Sequence, residues 1–149
     1  MEIEKKIEKK VAGFFENQKK NMGTTLGFNY LKISRDEMIA EMPVDSRTIQ
    51  PFGILHGGAS VALAETLCSL GAWFNISENK TAVGIEIHAN HHRSVKDGGK
   101  VKAIARPIQL GQSIQVWETR IDYGLGFFMV GVLLLSSGCL SSSSVNEKK

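Results

Sequence analysis

Residues Gly58 to about Phe74 read as a helix with no continuous polar face, and this limits the fold more than any other feature of the chain. Val61, Leu63, Leu67, Leu70, Trp73 and Phe74 spread around its circumference. A helix apolar on nearly every side has to be covered by other structure. Its one ionisable group is Glu65. An interior helix does not carry a carboxylate unless something pairs it or uses it.

The flanking patterns say what covers such a helix. Ile3, Ile7, Val11, Phe14 and Phe15, with charges between them, predict an amphipathic helix over residues 1–21 whose lysines form a solvated face. Met22-Gly23-Thr24-Thr25 breaks it. Phe28 to Ser34 and Met38 to Val44 alternate loosely around a turn at Ser34-Arg35-Asp36-Glu37, a hairpin pattern, and Pro43 marks an exit or edge position. Asp45 to Leu55 reads as loop. After the apolar helix come four strand-like runs: Val83 to Asn90 with Val83, Ile85, Ile87 and Ala89 on one face, Val101 to Arg106, Ser113 to Asp122, and about Phe127 to Ser136. Their short links predict successive antiparallel strands. The expected fold is α+β: one curved antiparallel sheet wrapped around one long buried helix, a single domain over residues 1–140. Ser141 to Lys149 reads as a flexible polar tail.

The chain has 149 residues, 42% of them hydrophobic and 22% charged, with a net charge of +3. That charge is too small to argue for nucleic acid and suits an anionic small ligand. The longest apolar run, Phe127 to Leu135, falls far short of the roughly 20 residues of a membrane span. Met1-Glu2-Ile3-Glu4-Lys5-Lys6 has no secretory character, and two cysteines, Cys68 and Cys139, make no disulfide framework. A cytoplasmic protein, with neither membrane nor nucleic acid as partner, is the expectation.

The chemistry concentrates in Gln50-Pro51-Phe52-Gly53-Ile54-Leu55-His56-Gly57-Gly58-Ala59-Ser60 and the helix that follows. His56, Gly57 and Gly58 stand where unpaired backbone N–H groups point outward and favour negative charge. Val61, Glu65 and Ser69, spaced by four, share one face beside Ser60 and Ala64. N–H donors for a developing oxyanion and a carboxylate two turns along suit acyl transfer. Other readings of the same letters stand beside this one: Glu65 in a salt bridge, His56 as a plain cap, Ser69 bonded to its own helix, the glycines there for close packing. His88, His91 and His92 lack any familiar metal-ligand spacing, so no metal and no cofactor is expected. Arg93, Lys96, Lys100, Lys102 and Arg106 form either a steering patch or a solvated surface.

Gln50 through Ser69 closely resembles the active-site segment of the hot-dog-fold acyl-CoA thioesterases, in the branch of the 1,4-dihydroxy-2-naphthoyl-CoA, enterobactin-proofreading and helix-glutamate 4-hydroxybenzoyl-CoA enzymes. Ala40 to Thr48, Val83 to Ser94, Pro107-Ile108-Gln109-Leu110-Gly111 and Gln115-Val116-Trp117-Glu118 extend the resemblance over about Met22 to Asp122. It implies hydrolysis of an acyl-CoA thioester, with an aromatic acyl group preferred. Glu65 matches the nucleophile or general base, and Gly57 the residue whose N–H polarises the carbonyl. His56 and Gln50 match orienting side chains, and Ser69 a helper hydroxyl. Gly58, His91, Arg93, Ser94 and Gly111 fall on the ligand side. The resemblance also implies a homodimer as active unit, paired into a homotetramer. A non-catalytic acyl-CoA or acyl-carrier binding module is the alternative, and a dehydratase of the same fold a third.

The last strand departs from the family pattern. A polar hairpin and an alternating strand are expected, whereas Phe127-Phe128-Met129-Val130-Gly131-Val132-Leu133-Leu134-Leu135 is apolar throughout. A strand covered on both faces, a natural variant or a shifted reading frame would each read so.

Overall fold

The computed structural model describes residues 1–124 and 126–139. The chain runs β1 (Glu2–Ile3), a 3-10 turn (Lys5–Ile7), α1 (Glu8–Glu16), α2 (Met22–Leu26), β2 (Asn29–Ile33), β3 (Met38–Pro43), α3 (Gly57–Phe74), β4 (Lys80–His91), β5 (Lys100–Leu110), β6 (Ile114–Tyr123) and β7 (Gly126–Cys139). Among the described residues seven strands make one sheet in the order β1-β2-β3-β5-β6-β7-β4, antiparallel except for β1 beside β2. The α+β expectation holds, as do the hairpin of β2 and β3 and the long helix.

Several expectations are corrected. Residues 1–21 are not one helix, because Glu2 and Ile3 pair with Lys32 and Ile33 before the chain turns into α1. The breaker Met22-Gly23-Thr24-Thr25 is itself helical. Asn21 caps it by accepting from Thr24 N–H while Thr24 Oγ1 accepts from Asn21 N–H, and Gly27 ends it at φ +78°. Lys10 does not simply face solvent. Its Nζ donates to Trp73 O at 2.6 Å and Ile76 O at 3.0 Å, capping the end of α3. Most consequentially, β4 does not pair with β5. It lies at the far edge of the sheet against β7, so residues 92–99 are a crossover. That crossover is zipped to the loop before α3: Leu55 N–H donates to Val95 O at 2.8 Å, and Ile54 bridges Lys96.

The sheet covers α3 on one side. Ser60, Leu63, Ala64, Leu67, Cys68, Gly71, Ala72 and Phe74 are buried against it. Trp117 of β6 packs against Gly71, where any Cβ would run into the indole. Its Nε1–H donates to Gln115 Oε1 at 3.0 Å, and Gln115 Nε2 donates to Ala72 O at 3.3 Å. The described residues do not wrap the other side of α3. Val61, Ala62, Thr66 and Ser69 are half-exposed and Glu65 is exposed, so among the described residues nothing buries the acid. β7 pairs on both sides, with β6 and β4, and is an interior strand. The tail expected over 141–149 lies outside the described residues.

Candidate active site

Three structural devices converge on the start of α3. Gly53, at φ +71°, closes a tight turn in which its N–H donates to Gln50 O at 2.9 Å, while Gln50 N–H donates to Ile54 O at 2.8 Å. The chain then pairs back, His56 N–H donating to Thr48 O at 2.8 Å. His56 is the helix N-cap, its Nδ1 accepting from Gly58 N–H at 2.8 Å. With Nδ1 so used, the neutral imidazole carries its proton on Nε2, directed away from the helix. The Gly57 N–H, first in the helix, has no acceptor among the described residues. It combines a free donor with the positive end of a helix of 18 residues.

His91 reaches this point from across the sheet. A bulge between Gly84 and Glu86 reverses the alternation of β4. Ile87 and Ala89 pack on the core, whereas Val83 and Ile85 are 53% and 54% exposed, not inward as their spacing suggested. Beyond the bulge, His91 shares the face of Ile87 and Ala89 and so points to the helix. Its Nε2 is 2.9 Å from Ser60 Oγ, which donates to Gly57 O at 2.7 Å, and its ring lies 3.3 Å from where a Cβ on Gly57 would stand. Sequence reasoning treated Ser60 only as a small neighbour. Its spacing of three from Gly57 is the one signal that it braces the helix start. His88 instead pairs with Glu86 at 2.8 Å in solvent. Among the described residues, no group of three or more His, Cys, Asp or Glu is placed to hold a metal.

The other candidates divide by position. Glu65 and Ser69 follow at two and three turns along α3, and Ser69 lines a cavity of about 280 Å³. Besides Ser60, Thr66 bonds back to the helix backbone, its hydroxyl donating to Ala62 O at 2.7 Å. Arg93 and Ser94 are exposed in the crossover, beside the loop that carries His56. Gly111 belongs elsewhere. It lies with Asn75 and Ile76 at the end of α3, about 27 Å from its start by helix rise. A Cβ there would strike Ile114 O, so the hairpin itself requires the glycine. The basic patch also splits. On β5, Arg106 is paired with Glu37, Lys100 with Glu41, and Lys102 is exposed, while Arg93 and Lys96 lie in the crossover beside the loop that leads into α3.

The profile of the thioesterase superfamily matches residues 52–122, which include the end of this loop from Phe52, all of α3, β4 and β5, and β6 up to Asp122. The chain is 46% identical to the proofreading thioesterase EntH of Klebsiella pneumoniae over 113 residues, covering 76% of this chain and 82% of that one. The chain belongs to the thioesterase superfamily. Solved thioesterases share its architecture. One from Haemophilus influenzae superposes with a TM-score of 0.79 at 42% identity, over 91% of this chain and 93% of its own. A mutant thioesterase from Pseudomonas aeruginosa gives 0.78 at 37% identity, over 90% and 94%. The fold is therefore the hot-dog fold, and this thioesterase is a hydrolase of thioesters.

Proposed function

We propose that this thioesterase hydrolyses an acyl-CoA thioester, with an aromatic acyl group preferred, at a site shared between two copies of the chain. Water adds to the carbonyl carbon, the C–S bond breaks, and the thiolate of coenzyme A leaves and takes up a proton. Glu65 activates that water or itself attacks the carbonyl, and the Gly57 N–H polarises the carbonyl oxygen. His56 Nε2–H and Gln50 orient the thioester, and the Ser69 hydroxyl assists near the acid. Gly58, His91, Arg93 and Ser94 line the approach of the ligand. The protein works in the cytoplasm.

The observation that carries this reading is the spacing of Gly57 and Glu65 on one rigid helix. Eight residues of α-helix separate them by about 12 Å along the axis. An oxyanion donor and an attacking group must each lie about 3 Å from the same carbonyl. One chain cannot bring the two together, but two chains with antiparallel α3 helices can. The uncovered face of α3 supports this, because Val61, Ala62 and Ser69 flank Glu65 there. So does β4, an edge strand that exposes Val83 and Ile85. Such an interface is two-fold and holds two equivalent sites. Pairing of two dimers into a tetramer completes the proposed assembly.

The test is release of thiol from a panel of aromatic and straight-chain acyl-CoA thioesters, run beside Glu65→Gln. The variant is expected to lose at least about 10²-fold in kcat, the range for a positioned acid–base group. Retained turnover would remove Glu65 from the mechanism.

A further inference from the structure

We infer that Phe14 of α1 and Trp73 of α3 together close the acyl end of the site, and that Phe14 limits the length of acyl group this thioesterase accepts. The inference rests on the reading just given, in which Glu65 marks the reacting carbonyl. From Glu65 the same helix face continues through Ser69 to Trp73, one turn per step. The cavity of about 280 Å³ opens along that face, between Ser69, Leu70, Trp73, Phe14, Thr81 and Ala82. It begins at Ser69, one turn past the carboxylate. A cavity of roughly 150 Å³ can hold a benzene ring, so this one takes an acyl group of one or two rings.

Beyond it lies a larger groove of about 660 Å³, between α1 and the end of α3, reached past Lys10, Gly13, Asn17 and Glu78. Phe14 and Trp73 line both spaces. Their rings stand 6.3 Å apart at 50° and form the partition. Trp73 is fixed, since its own carbonyl is capped by Lys10, whose ammonium also sits 4.3 Å from its ring centroid. Phe14 is the other half of the pair, supplied by a helix outside the segment that the superfamily profile matches. Removing its ring joins the short cavity to the long groove. An extended alkyl chain then passes from Ser69 into the groove, with apolar burial favouring each added methylene.

The test uses thioethers of coenzyme A, which bind without being hydrolysed, so that its outcome is independent of turnover. Binding of S-benzyl-CoA and S-decyl-CoA is measured by calorimetry for the full chain, Phe14→Leu and Phe14→Ala, with thermal unfolding recorded for each. The wild type is expected to prefer the benzyl ligand. Phe14→Ala shifts the ratio of the two Kd values toward decyl by about tenfold or more, the scale on which a pocket discriminates chain length. Phe14→Leu, which keeps α1 packed, falls between. A Cβ on Gly13 meets nothing within 4 Å, and this glycine lines only the larger groove. Gly13→Leu in the Phe14→Ala background therefore blocks the groove and restores the benzyl preference. An unchanged ratio in Phe14→Ala and Phe14→Leu, or no binding of either thioether to the wild type, would overturn the inference. Loss of Glu65-dependent hydrolysis in the acyl-CoA panel would instead overturn the proposed function and leave these binding ratios standing.

Discussion

His91 Nε2 and Ser60 Oγ lie 2.9 Å apart, and the imidazole so held rests against the first residue of α3. Ser60 is fully buried and ties this contact to the Gly57 carbonyl. The start of the helix is thereby fixed from two strands of chain that are 31 residues apart in sequence. A helix N-terminus used to polarise a carbonyl needs such support, because misplacement of the donor weakens the stabilisation it gives.

This makes Gly57 open to a clean substitution pair. Proline is favoured at the first position of a helix and lacks only the N–H. The preceding residue, His56, already has φ −70° and ψ 127°, which proline requires of its neighbour. Gly57→Pro is expected to keep the helix and to lower kcat by about 10²-fold, the cost of one oxyanion donor. Gly57→Ala adds a Cβ against His91 but keeps the N–H, and so loses far less. Steady-state kinetics with circular dichroism separates the two effects. Equal losses in both variants would mean that crowding of His91, not the donor, matters.

Two other glycines should respond in opposite directions. Gly71→Ala drives a methyl group into the Trp117 indole and is expected to destabilise the fold by about 1–3 kcal/mol through overpacking. Gly13→Ala meets no neighbour within 4 Å and is expected to stabilise by about 0.5–1 kcal/mol through helix propensity. Urea denaturation reads both.

Much of this organisation is legible in the sequence, and the places where it is not have physical causes. The hairpin of β2 and β3 and the helix to Phe74 follow from local periodicity and turn residues. The bulge after Gly84 leaves no local mark, so the letters put Val83 and Ile85 inward with Ile87 and Ala89; alternation sets His91 on that same face but does not say that it meets Gly57. Lys96-Asp97-Gly98-Gly99 reads as a hairpin turn, yet the pairing of Leu55 with Val95 makes it part of a crossover. Strand order is a long-range property that short links do not encode. Helix composition predicts that α3 is covered all round, whereas the described residues cover it on one side. That is why Glu65 reads as buried in sequence and is exposed in the single chain.

The loop before α3 should respond to acid. Asp45 is held at a pKa of about 2, against an ordinary 3.8, by hydrogen bonds from the Arg47 guanidinium and backbone N–H and by the charge of that guanidinium. A depressed carboxylate contributes stability that is present above its unfolded pKa and is lost as pH falls through its folded one. The contribution therefore fades between about pH 4 and pH 2. Carbon-detected NMR titration should place the Asp45 midpoint near 2, and Arg47→Ala should return it toward 3.8. A midpoint unmoved by that substitution would contradict the assignment.

Cys68 should be inert. Burial pushes its thiol up to about 12, and its Sγ lies 3.0 Å from Thr119 Oγ1 in the core. Thiolate is the reactive form, so alkylation at pH 8 followed by peptide mapping should leave Cys68 unlabelled until denaturant is added. Labelling of the native protein would show that the α3–β6 interface opens readily.

The most direct measurement mixes two inactive variants. Glu65→Gln and Gly57→Pro are co-refolded in equal amounts, and thiol release from an aromatic acyl-CoA is followed. If the two groups act from different chains, each mixed dimer holds one site with both intact, and random pairing restores about a quarter of wild-type activity. If Gly57 and Glu65 served the same carbonyl from within one chain, no mixture would contain an intact site. Activity would then stay at the level of the separate variants, and the shared site would be contradicted.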